Sequence, residues 1–285
     1  MIVCGIDLGP ASERVVAYAA FFAASLRAPV QLLYVIDYLL TPPAYLSEYI
    51  EEEKKREEGE MSRWKGLLTF AGIEADARIM VGRLHESFTV VLEEEPVALL
   101  VIGYKSHPFR PSSSERLVMS LRVPMLVVRT EGPERQSIDS VRIKRILCPV
   151  DFSENSRKAA SLAIQHSRAF SAELILINAI PSHLIKEKWM VWSDMDDGDR
   201  ERFDELMRSE AASTMHTFCE GLGVEQTGEI FHGNPGEVIS SLSSERAVDL
   251  IVIGARGLSY LQSMLIGSTT EQVLKSSPCP VMIVH

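Results

Sequence analysis

Gly254-Ala255-Arg256-Gly257, followed after nine residues by Gly267-Ser268-Thr269, is the grouping in this chain whose residue types and spacing most clearly suit a chemical task. The task is holding phosphate. Glycines let a backbone approach an anion closely, and the N–H groups at a helix start point toward it. The group follows an apolar run, Leu250-Ile251-Val252-Ile253, and precedes Thr270-Glu271-Gln272-Val273-Leu274-Lys275. That order predicts a strand, a glycine-rich connection and a helix.

Other chemistries fail on spacing. There is no GxxxxGK[ST] and no strand-following GxGxxG, so the P-loop and dinucleotide patterns are absent. His85-Glu86 lacks the second histidine of HExxH. In Asp194-Met195-Asp196-Asp197-Gly198-Asp199, taking Gly198 as loop position six puts Met195 at position three, which breaks the calcium-loop pattern. His183, His216 and His232 are scattered, and Cys4, Cys148, Cys219 and Cys279 form no CxxC. No metal ligand set and no catalytic residue is assigned. The cysteines read as small core residues of a protein from a reducing compartment, the cytoplasm.

The elements that must position the glycine group are written twice. Ile2-Val3-Cys4-Gly5-Ile6-Asp7 matches Ile146-Leu147-Cys148-Pro149-Val150-Asp151, and Val30–Ile36 matches Leu174–Ile180. Ile79-Met80-Val81-Gly82 matches Ile230-Phe231-His232-Gly233, and Leu99–Gly103 matches Leu250–Gly254. Val123–Val128 matches Cys279–Val284. Such a repeat marks two copies of one domain. The spacing grows between the second and third strands and again, by five residues, inside the glycine segment. Glu131-Gly132-Pro133-Glu134-Arg135-Gln136-Ser137 reads as a solvated linker, giving domains 1–130 and 143–285.

Within each copy strand-like and helix-like runs alternate. In the second, strands are predicted at Arg145–Val150, Glu173–Ile180, Val224–His232, Asp249–Gly254 and Val281–Val284. Helices are predicted at Glu154–Phe170, Asp199–Leu222, Pro235–Arg246 and Ser268–Ser276. Short Val/Ile/Leu runs alternating with helices imply an α/β fold with parallel, doubly wound sheets. Ligands bind such sheets at the carboxyl ends of the strands, where the order reverses. Asp151 and Gly254 flank that point if the order is 3-2-1-4-5. The segment Tyr45 to Phe70 reads as a long helix with a solvated charged face.

The chain is 46% hydrophobic and 24% charged with a formal charge of −10, which suits a globular protein and argues against a nucleic-acid partner. No run reaches the roughly 18 apolar residues of a membrane span, and the start lacks a signal-peptide pattern.

In this order and context the residues resemble the universal stress protein family, in its tandem two-domain form. Its nucleotide pattern is G-x2-G-x9-G-[ST], which Gly254, Gly257, Gly267 and Ser268 match. Cys148-Pro149-Val150-Asp151-Phe152-Ser153 is similar to the family's first-strand end, whose Asp lies by the nucleotide. The resemblance implies two five-stranded sheets of order 3-2-1-4-5 with an adenine nucleotide alpha hydrolase-like fold. It also implies ATP, with Mg2+ as a candidate companion, bound in the second domain. The implied contacts are Pro149, Val150, Asp151, the backbone of Ala179, Gly254, Arg256, Gly257, Gly267, Ser268 and Thr269. Family members associate through the last strand, which implies pairing of the two domains with each other and allows a homodimer.

The first copy departs from the pattern. After Gly103 come Tyr104-Lys105-Ser106-His107-Pro108-Phe109-Arg110-Pro111-Ser112; Ser106 and Pro111 stand at the second and third glycine positions. Pro111 offers no N–H, and Lys105, His107 and Arg110 read as solvated loop charges. The expectation is a stress-response protein with one ATP site, its first domain structural or regulatory. Two alternatives stay open. One is a slow ATPase or self-phosphorylating enzyme. The other is a nucleotide-free module binding a protein partner or hydrophobic ligand through the apolar segments Tyr38–Tyr45 and Lys188–Trp192.

Overall fold

The structure, a computed structural model, describes residues 1–9, 12–37, 46–104, 113–129, 137–181, 197–225, 227–257 and 266–285. It divides into two compact units, Met1–Arg142 and Ile143–His285. The first runs β1 (Ile2–Gly5), α1 (Ser12–Leu26), β2 (Val30–Ile36), α2 (Leu46–Phe70), β3 (Ala75–Val81), α3 (Leu84–Glu94), β4 (Leu99–Tyr104), α4 (Ser113–Ser120) and β5 (Met125–Arg129). The second runs β6 (Arg145–Pro149), α5 (Glu154–Phe170), β7 (Glu173–Ile180), α6 (Asp197–Glu220), β8 (Glu229–His232), α7 (Pro235–Glu245), β9 (Leu250–Gly254), α8 (Ser268–Ser276) and β10 (Val281–Val284).

Strand order is β3-β2-β1-β4-β5 in the first unit and β8-β7-β6-β9-β10 in the second, which is 3-2-1-4-5 in each. Neighbours within each unit are parallel. The central strands are covered on both faces, as their unbroken apolar runs require: Leu250 to Gly254 are all buried, and Ile2, Val3 and Cys4 have no exposed surface. Helix α5 starts on Ser153, whose Oγ accepts from Ser156 N–H at 3.2 Å, and α7 on Asn234, which caps Gly236 N–H at 3.0 Å with Pro235 in the first turn.

The repeat extends past the strands into the turns. Ile6 N–H bonds Leu33 C=O at 3.0 Å, and Val150 N–H bonds Ile177 C=O at 2.8 Å. The next left-handed residues are Leu8 (φ 57°) and Phe152 (φ 66°). Helices α2 and α6 both close through a glycine of positive φ, Gly72 and Gly223, with Ile73 N–H on Leu68 C=O and Val224 N–H on Cys219 C=O.

Two local expectations need correction. Strand β8 begins at Glu229, not Val224, because Val224 belongs to the turn closing α6 and Gly228 passes tightly over Met215, where a Cβ would come within 2.6 Å. The charged run of α2 is not wholly solvated either. Glu53 and Glu57 are buried, Glu53 accepting from Tyr34 Oη at 3.1 Å while Arg56 bridges both carboxylates at 2.7 Å. The linker through Gln136, Tyr38–Tyr45, Lys188–Trp192, His183, Asp194–Asp196 and the loop from Lys105 to Ser112 lie outside the described residues. Among the described residues no helix is long and apolar enough to cross a membrane.

Candidate nucleotide site

The site begins at the end of β6. Val150 N–H continues the ladder to Ile177, and the chain then leaves the sheet at Asp151. Asp151 Oδ1 accepts from Ser153 N–H at 3.1 Å and Ser153 Oγ at 2.6 Å, while that same hydroxyl caps α5. The carboxylate is thereby held at the sheet's carboxyl end. Phe152, forced to positive φ, is braced by Phe218 of α6, ring centroids 5.6 Å apart, with the Arg157 guanidinium 4.7 Å over the Phe218 ring.

Beside it runs β7. Gly233 N–H donates to Ile180 C=O, so Ile180 turns its backbone groups toward β8. In a parallel ladder the alternate residue turns the other way. Ala179 therefore presents its N–H and C=O toward the β6 side, beyond the point where β6 ends at Pro149. Val150 C=O, the next rung there, is taken instead by Asn178 Nδ2 at 2.8 Å. The result is a backbone donor–acceptor edge of the kind that pairs with a flat heterocyclic base.

On the other side stands the end of β9. Ala255 N–H bonds Val284 C=O at 2.7 Å, and Ala255 C=O accepts Gly267 N–H at 2.8 Å. That second bond joins the start of α8 to the end of β9. Thr270 Oγ1 fixes the helix again, donating to Gly254 C=O at 2.9 Å in a buried contact. The first bond of α8's own ladder is Glu271 N–H to Gly267 C=O at 3.0 Å. The N–H groups of Ser268, Thr269 and Thr270 thus belong to the helix's positive end. Gly267, at the cap, uses no side chain there, and the nearest atoms to a Cβ added on it are Ala255 O, Arg256 Cα and Gly257 N at 3.6–3.7 Å. Glu271 in the first turn is paired with Lys275 at 2.6 Å.

The glycines do different jobs. A Cβ on Gly257 would meet Asp151 Oδ2 at 2.2 Å, so this glycine lets the loop touch the β6 carboxylate. A Cβ on Gly254 would lie 2.9 Å from the Asn155 backbone, so Gly254 lets α5 pack on β9. Asp151, Gly257, Arg256 and Gly267, with Ser268 and Thr269 next in the chain, are therefore brought together at the carboxyl end of the sheet. Pro149, Val150 and Ala179 lie on its β6–β7 side, and Gly254 ends β9 beside them. Sequence reasoning did not find Asn178 and Thr270. Asn178 hides as one polar residue in an apolar strand; Thr270 hides behind the Ser-Thr pair that precedes it.

The first unit repeats the frame on either side of its shorter segment. Asp7 Oδ1 accepts from Gly9 N–H at 3.0 Å and Ser12 Oγ at 2.9 Å, the counterpart of the Asp151 turn. Ser114 Oγ donates to Gly103 C=O as Thr270 does to Gly254. These anchors bracket the five-residue shortening. Where the second unit has Ala255, the first has Tyr104, almost fully buried, its hydroxyl on Glu115 Oε1 at 2.9 Å and Arg129 over its ring.

No thiol contributes to either site. All four cysteines are free and buried, and burial pushes the Cys4 and Cys148 thiols up and that of Cys279 to about 11. Among the described residues no group of three or more His, Cys, Asp or Glu is placed to hold a metal.

Comparison with known proteins adds an independent line. The sequence model of the Universal stress protein family matches residues 1–129 and again 142–285. A universal stress protein of Methanocaldococcus jannaschii is 32% identical over 160 residues, 51% of this chain and 96% of its own length. One from Thermus aquaticus is 29% identical over 149 residues, 50% of this chain and 98% of its own. The crystal structure of a universal stress protein from Archaeoglobus fulgidus superposes with a TM-score of 0.74 at 21% identity, covering 99% of this chain and 95% of that one.

Proposed function

The chain belongs to the universal stress protein family as a tandem of two domains, and from that premise we propose that it binds one ATP, in its second domain. The observation that carries this reading is the bond that joins the two ends of the glycine segment. Gly267 N–H on Ala255 C=O brings the positive end of α8 against Gly257, and Gly257 in turn lies against Asp151. Phosphates fit the Gly257–Gly267–Ser268–Thr269 end, where backbone N–H groups and two hydroxyls converge. Arg256 adds a cation from the loop. The base fits the Ala179 edge beside Pro149 and Val150, and Asp151, between the two, meets ribose or base. Mg2+, when present, arrives on the phosphates.

The role is binding rather than turnover. Asp151 Oδ1 accepts from both Ser153 N–H and Ser153 Oγ, so that oxygen is committed to the turn rather than to activating water. A bound nucleotide then favours one conformation that a partner reads. The first domain, with Tyr104 buried at the equivalent strand end, serves structure or regulation. Four buried free thiols support a reducing, cytoplasmic setting, and a homodimer is part of the same reading.

Calorimetric titration of the full chain with ATP and Mg2+ tests the proposal. Wild type is expected to bind, while Gly267→Val removes measurable affinity and Ser268→Ala weakens it. Absence of ATP binding by the wild-type chain would sink it.

A further inference from the structure

We infer that Asn178 is a positioning residue for the base end of this site: its buried amide ties Val150 to β7 and so fixes the Val150–Asp151 peptide beside the Ala179 edge. The inference rests on the nucleotide reading above.

Asn178 is 8% exposed and sits in the run Glu173-Leu174-Ile175-Leu176-Ile177-Asn178-Ala179-Ile180, otherwise apolar after its first residue. One of its amide atoms lies 2.8 Å from Val150 O. Because a carbonyl oxygen only accepts, that atom is the NH2 donor. Val150 is consequently gripped at both ends of its backbone, its N–H by Ile177 C=O at 2.8 Å and its C=O by the neighbouring side chain. Two bonds from consecutive residues of one strand leave the departing chain little freedom to swing. Asp151, the next residue, inherits that fixed direction.

The first domain provides an internal control. Its equivalent of Asn178 is Tyr34, whose hydroxyl reaches to Glu53 of α2 at 3.1 Å. There Ile6 N–H is held by Leu33 C=O at 3.0 Å, while the side chain at the Asn178 position carries its hydroxyl to α2. The turn geometry is otherwise repeated, as Leu8 and Phe152 show. An amide donor on the first strand's carbonyl thus stands at this position in the domain with the full glycine motif, and a tyrosine bonded to α2 stands there in the domain without it. The phosphate end has separate anchors, Gly267 on Ala255 and Thr270 on Gly254, and neither touches Asn178. Loss of Asn178 should therefore be felt by a ligand that carries a base and not by one that carries phosphates alone.

The test titrates the full-length chain with ATP and, separately, with inorganic tripolyphosphate, both with Mg2+. Asn178→Leu keeps the bulk and removes the donor; Asn178→Asp turns an acceptor toward the carbonyl. Both are expected to lose about tenfold in ATP affinity while holding tripolyphosphate within about twofold of wild type. Asn178→Gln, which keeps a donor, is expected to stay within about threefold for ATP. If Asn178→Leu fails to fold, Asn178→Asp and Asn178→Gln carry the same comparison. ATP affinity unchanged in the donor-free variants, or ATP and tripolyphosphate affinity falling together, overturns the inference while leaving the nucleotide reading intact. A wild-type chain that binds no ATP overturns both.

Discussion

Three glycines of one motif make three different demands, and the distances separate them. At Gly254 a Cβ meets the Asn155 backbone at 2.9 Å and its Cβ at 3.1 Å; a helix backbone cannot yield cheaply. Gly254→Ala is therefore expected to cost about 1–3 kcal/mol of stability, read as a lowered midpoint in urea unfolding. At Gly257 the obstacle is Asp151 Oδ2, the end of a side chain whose other oxygen holds Ser153. Gly257→Ala is therefore expected to cost about 1 kcal/mol through the disturbed Asp151–Ser153 turn and to bind ATP about tenfold more weakly, because the displaced carboxylate enters the site. At Gly267 the nearest atoms are 3.6 Å away and φ is −80°, so the protein itself tolerates alanine there. Loss of ATP affinity in Gly267→Ala with an unchanged melting temperature would then report close approach of the ligand alone. Unchanged affinity would remove Gly267 from the phosphate contacts. Sequence spacing names all three glycines but cannot rank them, since the demands at Gly254 and Gly257 come from residues remote in the chain, Asn155 and Asp151, and the one at Gly267 comes from the ligand.

Elements reach the site through single polar contacts that no periodicity announces. Helix α8 is tied to β9 by Thr270 Oγ1 on Gly254 C=O, buried at 2.9 Å, and α4 to β4 by Ser114 on Gly103. Thr270→Val keeps the shape and removes the donor, leaving a buried carbonyl unpaired. It is expected to cost about 1–3 kcal/mol and to weaken ATP and tripolyphosphate binding alike, since the whole helix start loosens. The alternation of strands and helices was legible because β6, β7 and β9 are apolar runs. The late start of β8 was not, because it depends on Gly228 crossing Met215. Helix α5, which carries the Asp151 turn at its start, holds a second buried polar group. His166 is 4% exposed and stacks on Phe170 at 5.2 Å, and burial pushes its pKa down from 6.5 to about 4. The folded state refuses a proton that the unfolded chain accepts, so stability falls as pH drops below about 6.5 and the loss levels off below about 4. The full effect is on the order of 3 kcal/mol. Urea midpoints across that window should slope downward with acid in wild type and less steeply in His166→Leu; equal slopes would show that His166 is not the group responsible.

At the scale of the molecule the two domains differ less than their loops suggest, which sharpens what the difference can mean. Both have the 3-2-1-4-5 order, both turn an aspartate off the first strand, and both pin the last helix to the fourth strand. The repeat and its shortened loop were legible because the third and fourth strands keep one offset up to Gly103 and Gly254 before it changes again. The exchange of Ala255 for a buried Tyr104 acquires meaning only once Glu115 is seen to hold its hydroxyl. If phosphate binding depends on the loop and on the alanine-sized space at the strand end, then keeping Asp7 should not suffice for a second site. The expected outcome is about one nucleotide per chain by mass spectrometry of ligand released from purified protein. Asp151→Ala should bring that figure toward zero, and Asp7→Ala should leave it unchanged, because Asp7 retains a structural task in holding Gly9 N–H and Ser12 Oγ. Two nucleotides per chain, or a loss on changing Asp7, would mean that the strand ends suffice to bind a nucleotide and that the glycine loop only tunes its affinity.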